Sequence, residues 1–103
     1  MLFYPAAFTG ICTKELCQTR DELSYYNDLN ATVFGISVDM PFTLAKFKEL
    51  NNYNFTLLSD FNKEVSAAYG CMYEEWIHGL KGVSKRSTFL IDKEGKIRFA
   101  EIL

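Results

Sequence analysis

The chain has no apolar run that approaches the roughly 20 residues of a bilayer-spanning helix. It has no basic surplus either: 11 Lys and Arg against 13 Asp and Glu leave a net charge of -2. That removes the electrostatic footprint of a nucleic-acid binder. Cysteines are few and odd in number, Cys12, Cys17 and Cys71, whereas a secreted disulfide scaffold carries more, in even count. They form no C-x-x-C pair, and His78 is the only histidine. No usual zinc spacing follows from them, so neither a metal nor another cofactor is expected. The opening residues, Met1 to Phe8, hold no positively charged segment and no small-residue cleavage site. These absences lead us to expect a soluble, unexported protein of a reducing, cytoplasmic compartment. Repeats, low-complexity tracts and linkers are missing too.

What is present is a globular balance, 49% hydrophobic and 23% charged, with 16% aromatic residues to fill a core. A chain of 103 residues suits one domain, residues 1-103, and not two. Leu2-Phe3-Tyr4, stopped by Pro5, reads as the end of a buried strand. From Cys12 to about Leu29 the pattern is helical, with Leu16, Leu23 and Tyr26 on one stripe. Thr32 to Val38 is β-rich and apolar, as in a strand covered on both faces. Pro41 suits a first helical turn, and Leu44, Phe47 and Leu50 give that helix an apolar face. Met40 precedes it, where a capping Ser would serve better. Phe55 to Leu58 reads as a strand. Ser59 or Asp60 can cap the next helix, which closes at Gly70. Cys71 to Lys85 reads as irregular. Thr88 to Ile91 and Lys96 to Ile102 form a hairpin about the turn Asp92-Lys93-Glu94-Gly95, the last strand with one solvated face. Strand-helix alternation followed by a hairpin predicts an α/β fold, a mixed sheet flanked by helices that ends in an antiparallel β-hairpin.

The segment that carries chemistry runs from Phe3 to Cys17. It places Cys12 where a strand and loop feed a helix. A helix start offers unpaired N–H groups and the positive end of the macrodipole, and both favour the nucleophilic thiolate. A small buried hydrophobe is the competing reading of Cys12. His78 reads as a surface loop residue. Trp76 and Tyr73 pack either over the active-site side or into a subunit contact.

Pro5-x-x-x-Thr9-x-x-Cys12, framed by Phe3-Tyr4-Pro5 and Phe8-Thr9, resembles the signature of the peroxiredoxins. Phe34 to Asp39, Leu57 to Asp60 and Phe89 to Asp92 resemble further family segments in family order. The resemblance implies a thioredoxin-like fold and a thiol-dependent peroxidase. Cys12 would be the peroxidatic cysteine and Thr9 would accept a hydrogen bond from the peroxide. Pro5 would shield the thiolate, and the amides of Ile11 and Cys12 would steady the substrate. Arg86 matches the family's arginine beside the thiolate, and Glu15 the carboxylate that orients it; a solvated charge and a helix-start acid are their plainer readings.

One peroxiredoxin subgroup resolves its sulfenic acid with a cysteine five residues on, which implies that role for Cys17; core packing, with reduction by an outside thiol, is the alternative. Five helical residues rise about 7.5 Å, beyond the roughly 7 Å Cα limit of a disulfide. A Cys12–Cys17 bond would therefore require α-helix to unwind. Cys71 reads as packing, with resolution as a second choice. The implied partners are a hydroperoxide, a thioredoxin-like or small-thiol reductant and a second copy in a homodimer. The chain resembles a family core without the usual N-terminal strands and C-terminal helix. Two other classes compete: a thiol–disulfide oxidoreductase, and an inactive peroxiredoxin-like fragment or binding module.

Overall fold

Phe3 and Tyr4 are neighbours, both fully buried, and they belong to two different cores. In the computed structural model, which describes residues 1–103, they stand at the middle of one five-stranded sheet. Alternation along an extended chain sends the two rings to opposite faces. Tyr4 packs with Leu16, Leu44, Phe47, Tyr53 and Phe55, in the core that also holds Cys12. Phe3 packs with Ile36, Cys71 and Phe89.

The strands are β1 (Leu2–Phe3), β2 (Phe34–Ser37), β3 (Thr56–Ser59), β4 (Ser87–Ile91) and β5 (Ile97–Ile102). Their order across the sheet is β3-β2-β1-β4-β5. β1, β2 and β3 are parallel, and β4 and β5 are antiparallel additions. The helices are α1 (Gly10–Asp21), α2 (Leu23–Asp28), α3 (Pro41–Asn51) and α4 (Glu64–Ala68). This is the expected α/β mixed sheet, thioredoxin-like, closing in a hairpin. Because three strands run in parallel, the loops that follow them emerge at one edge, where α/β sheets build their sites. β4 runs the other way, and Ser87 pairs with Phe3. Arg86 therefore arrives at the same edge, one residue beyond that pair.

Several local expectations hold. Asp60 serves the start of α4, accepting from the amides of Val65 and Ser66 at 3.0 and 2.6 Å, although the N-cap position itself is Lys63. Gly70 closes α4 with φ +67, while the Cys71 amide returns to Ser66 O. Gly95 takes φ +80 in the hairpin turn.

Others are corrected. The single helix from Cys12 to Leu29 begins earlier, at Gly10, and breaks at Glu22. At the break the Glu22 amide still reaches Gln18 O at 3.0 Å, the Tyr25 amide turns back only three residues to Glu22 O, and the Arg20 carbonyl takes the Asn54 side chain at 3.3 Å. Leu50 does not join the apolar face of α3 and is 59% exposed. Steps of three residues drift by about 60° each on a helix, so Leu44 and Phe47 face the core and Leu50 has turned away. β5 was expected to have one covered face, yet all six of its residues are exposed. It meets only β4 laterally, and no helix covers Phe99 or Leu90, which pair across the two strands. The β4–β5 ladder runs one step further, with the Leu103 amide donating to Arg86 O at 3.0 Å. Tyr73 and Trp76 stack on each other at 6.4 Å inside the 71–85 segment, with Lys85 against Tyr73.

Met40 is the N-cap of α3 and makes no side-chain cap. Its side chain is exposed. Met40→Ser should therefore stabilise the fold by about 0.5–1 kcal/mol, the usual worth of such a cap. A rise in the urea midpoint at unchanged slope checks this.

Candidate active site

Thr9 is the N-cap of α1, with φ -93 and ψ 151, but its hydroxyl does not cap the helix. It donates instead to Ala6 O at 2.7 Å. The first helical hydrogen bond is from Thr13 N to Thr9 O. The amides of Gly10, Ile11 and Cys12 thus precede it, and no side chain closes them off. Thr9 Oγ1 has committed its one hydrogen, so towards any further partner it can only accept.

Cys12 is the third residue of α1 and is 1% exposed. Burial alone fits the packing reading, and its polar partner does not. Arg86 Nη2 lies 3.2 Å from Cys12 Sγ. The same guanidinium gives Nη1 to Glu15 Oε1 at 2.9 Å. One planar fork therefore bridges two residues of one helical turn. Burial works against the Arg86 charge, but the bond to Cys12 and the charges of Cys12 and Glu15 outweigh it and raise its pKa. Pro5 is buried too, two residues past the end of β1.

Burial holds the Glu15 carboxyl above its usual value, and Arg86 offsets only part of that. A raised carboxyl penalises the ionised folded state. Its contribution to stability is present in acid and is lost as pH rises through the raised value. Glu15→Gln removes this titration and leaves Arg86 charged throughout. Relative to wild type, the variant should be more stable at pH 7 than at pH 4. Denaturant midpoints of both proteins at the two pH values check the sign.

Cys17 is half-buried on the same helix, and all three cysteines are free. Its sulfur lies 3.8 Å from Tyr53 Oη and 3.9 Å from Asn51 Oδ1. Tyr53 Oη also reaches Thr13 O at 3.4 Å, and burial followed by the Cys17 contact raises its pKa well above normal. Cys71 is fully buried on the opposite face of the sheet, where burial raises its thiol. Of the residues singled out in the sequence, Cys12, Glu15 and Arg86 are brought into contact. Thr9 and Pro5 line the loop that leads to them. His78 and Trp76 make no contact with this group.

The AhpC/TSA family model matches residues 1–100. The chain belongs to the AhpC/TSA family. Relatives of this AhpC/TSA chain include alkyl hydroperoxide reductase E of Mycobacterium tuberculosis, 40% identical over 104 residues. The match covers 99% of this chain and 65% of that protein. Another M. tuberculosis protein, named among the peroxiredoxins, is 44% identical over 101 residues, covering 96% of this chain and 64% of its own. Among solved structures, the peroxidoxin BcpB of M. tuberculosis superposes with a TM-score of 0.88 at 37% identity, over 98% of this chain and 64% of that one. The reduced 2-Cys peroxiredoxin of Plasmodium vivax gives 0.89 at 28% identity, over 99% and 63%. The AhpC/TSA chain thus spans a little under two thirds of the length of the relatives it matches.

Asp39 had no role in the sequence reading, although it closes one of the family-like segments. Its carboxylate accepts from the amide of Ala7, inside the loop that carries Pro5 and Thr9. Tyr53 and Asn51 were missed as well. Their signal was only that polar residues end α3 and interrupt its apolar pattern.

Proposed function

We propose that this protein is a thiol-dependent peroxidase that reduces hydrogen peroxide and small organic hydroperoxides through Cys12. One observation carries the reading: Arg86 touches the Cys12 sulfur and the Glu15 carboxylate at once. A fixed cation at 3.2 Å stabilises negative charge on sulfur, and it also meets charge that develops as the O–O bond breaks. The open amides of the first helical turn offer donors to the peroxide oxygens. Thr9 Oγ1 offers the acceptor, and Pro5 excludes water.

The thiolate attacks one peroxide oxygen, an S–O bond forms and the O–O bond breaks. Cys12 becomes the sulfenic acid, and the leaving alkoxide takes a proton to give the alcohol or water. Resolution then follows by attack of the Cys17 thiol, which forms a disulfide and releases water, or by an outside thiol. Cys17 is favoured over Cys71, since Cys71 stands across the sheet. An outside reductant, thioredoxin-like or a small thiol, returns the enzyme to its starting state. A single domain over residues 1-103, a homodimer and a cytoplasmic setting complete the proposal.

The test is peroxide consumption by the purified protein with a dithiol reductant, followed by peptide mass spectrometry after dimedone trapping. Adduct on Cys12, and a 12–17 disulfide in untrapped samples, are expected. Consumption with an adduct on Cys12 and no 12–17 bond assigns resolution to the outside thiol. Reduction of insulin without peroxide turnover would make the protein a thiol–disulfide oxidoreductase. Inactivity in both assays would leave a binding module.

A further inference from the structure

Phe8 holds a left-handed backbone, φ +64, without being a glycine. That conformation costs about 1–2 kcal/mol in a residue with a Cβ, and it persists only where the surroundings hold it. Two restraints flank it. On the side-chain side, its ring stands 5.0 Å from that of Phe47. On the backbone side, the amide of Ala7 donates to Asp39 Oδ2 at 2.8 Å, across 32 residues of sequence.

Asp39 is itself held from three directions. Its Oδ2 accepts from Ser37 Oγ at 2.6 Å, its amide donates to that same oxygen at 3.3 Å, and its carbonyl accepts from Ser59 Oγ at 2.5 Å. Ser37 ends β2 and Ser59 ends β3, so the carboxylate is tied to β2 and the Asp39 backbone to the edge strand β3. It enters none of the ion pairs of the molecule. A carboxylate that takes a backbone amide makes a charge-assisted bond, stronger than a neutral one. Here that bond lands one residue before the strained Phe8 and two before Thr9.

We infer that Asp39 is a positioning residue for the peroxide site: its grip on the Ala7 amide keeps the 5–9 loop in the shape that sets Thr9 at the start of α1. The inference rests on the peroxidase reading above. Without the grip, Phe8 can relax towards ordinary backbone angles, and Thr9 Oγ1 moves with it. Cys12 and Arg86 stand on α1 and before β4, outside the loop, and stay where they are. Peroxide reduction needs Thr9 in place. Alkylation of the thiolate by iodoacetamide does not.

The experiment compares wild type, Asp39→Ala and Asp39→Asn by two rates at Cys12, each followed by peptide mass spectrometry: oxidation by hydrogen peroxide and alkylation by iodoacetamide. Misplacement of a substrate-binding group by about 1 Å costs up to a hundredfold. Asp39→Ala should lose about tenfold to a hundredfold in oxidation while alkylation changes little. Asp39→Asn keeps an acceptor oxygen and should recover most of the ratio of the two rates. Circular dichroism establishes that each variant is folded. If Asp39→Ala is not, Ser37→Ala, which frees the same carboxylate oxygen, should lower the ratio less steeply. Wild-type oxidation in the folded variants, or an equal fall in both rates, overturns the inference alone. A wild-type protein that alkylates normally and ignores peroxide overturns the peroxidase reading, and this inference with it.

Discussion

Cys12→Ser should reduce peroxide consumption to the rate of the buffer. Loss of a nucleophile costs at least about a thousandfold, because a hydroxyl without an adjacent base stays protonated and unreactive. The fold should survive. Serine nearly matches the volume of the buried cysteine, and its oxygen can still accept from Arg86. The thermal midpoint is the control, and consumption of peroxide in the presence of a dithiol is the measurement. Activity that persists in Cys12→Ser would move the chemistry to Cys17 or Cys71. The companion Cys17→Ser should still consume one equivalent of peroxide per chain, because the first step needs only Cys12. Whether it then turns over depends on the outside thiol.

Arg86→Met should slow oxidation of Cys12 by about a hundredfold to a thousandfold, the range seen when one donor to a developing anion is removed. Two losses combine. The sulfur loses the cation 3.2 Å away, and Glu15 keeps a half-buried carboxylate with no partner. Arg86→Lys separates the two. A lysine keeps the charge but is a point donor, and it cannot serve Sγ and Oε1 with parallel arms as the guanidinium does. It should recover only part of the loss. Stopped-flow oxidation of the reduced protein gives the rates. Wild-type rates in Arg86→Met would remove Arg86 from the mechanism and return it to the role of a solvated charge near a strand.

Much of the architecture was readable because it is written in local patterns. The succession of strands and helices along the chain, the hairpin turn at Asp92 to Gly95, the hold of Asp60 on α4 and the Gly70 stop all depend on residues within a few positions of one another, whereas the order of the strands across the sheet rests on distant pairings. The position of Cys12 at a helix start was readable for the same reason. Its partner was not: no periodicity joins position 12 to position 86, and only the resemblance to the peroxiredoxins named Arg86. What escaped altogether depends on contacts between distant segments. The bond from Asn54 to the Arg20 carbonyl, beside the break at Glu22, spans 34 residues. The bond from Ala7 to Asp39 leaves no mark in a sequence pattern, since one polar residue after a strand resembles any other. The bare faces of β5 escaped because its alternation is real, yet alternation says which residues share a face and not whether anything lies over it.

The last rung of the β4–β5 ladder, from the Leu103 amide to Arg86 O, gives that bare strand a mechanical meaning. The main chain of the residue that grips the Cys12 sulfur is fastened to the least covered strand of the sheet. Outer strands with few buried contacts open first and most often, by local fraying far below the cost of global unfolding. Each such opening frees the Arg86 carbonyl and loosens the seat of its guanidinium. That rung acts directly on the backbone of Arg86, while Glu15 and Cys12 hold its guanidinium from the other end. Amide exchange at Leu103 reports how often the backbone of Arg86 is released from that strand.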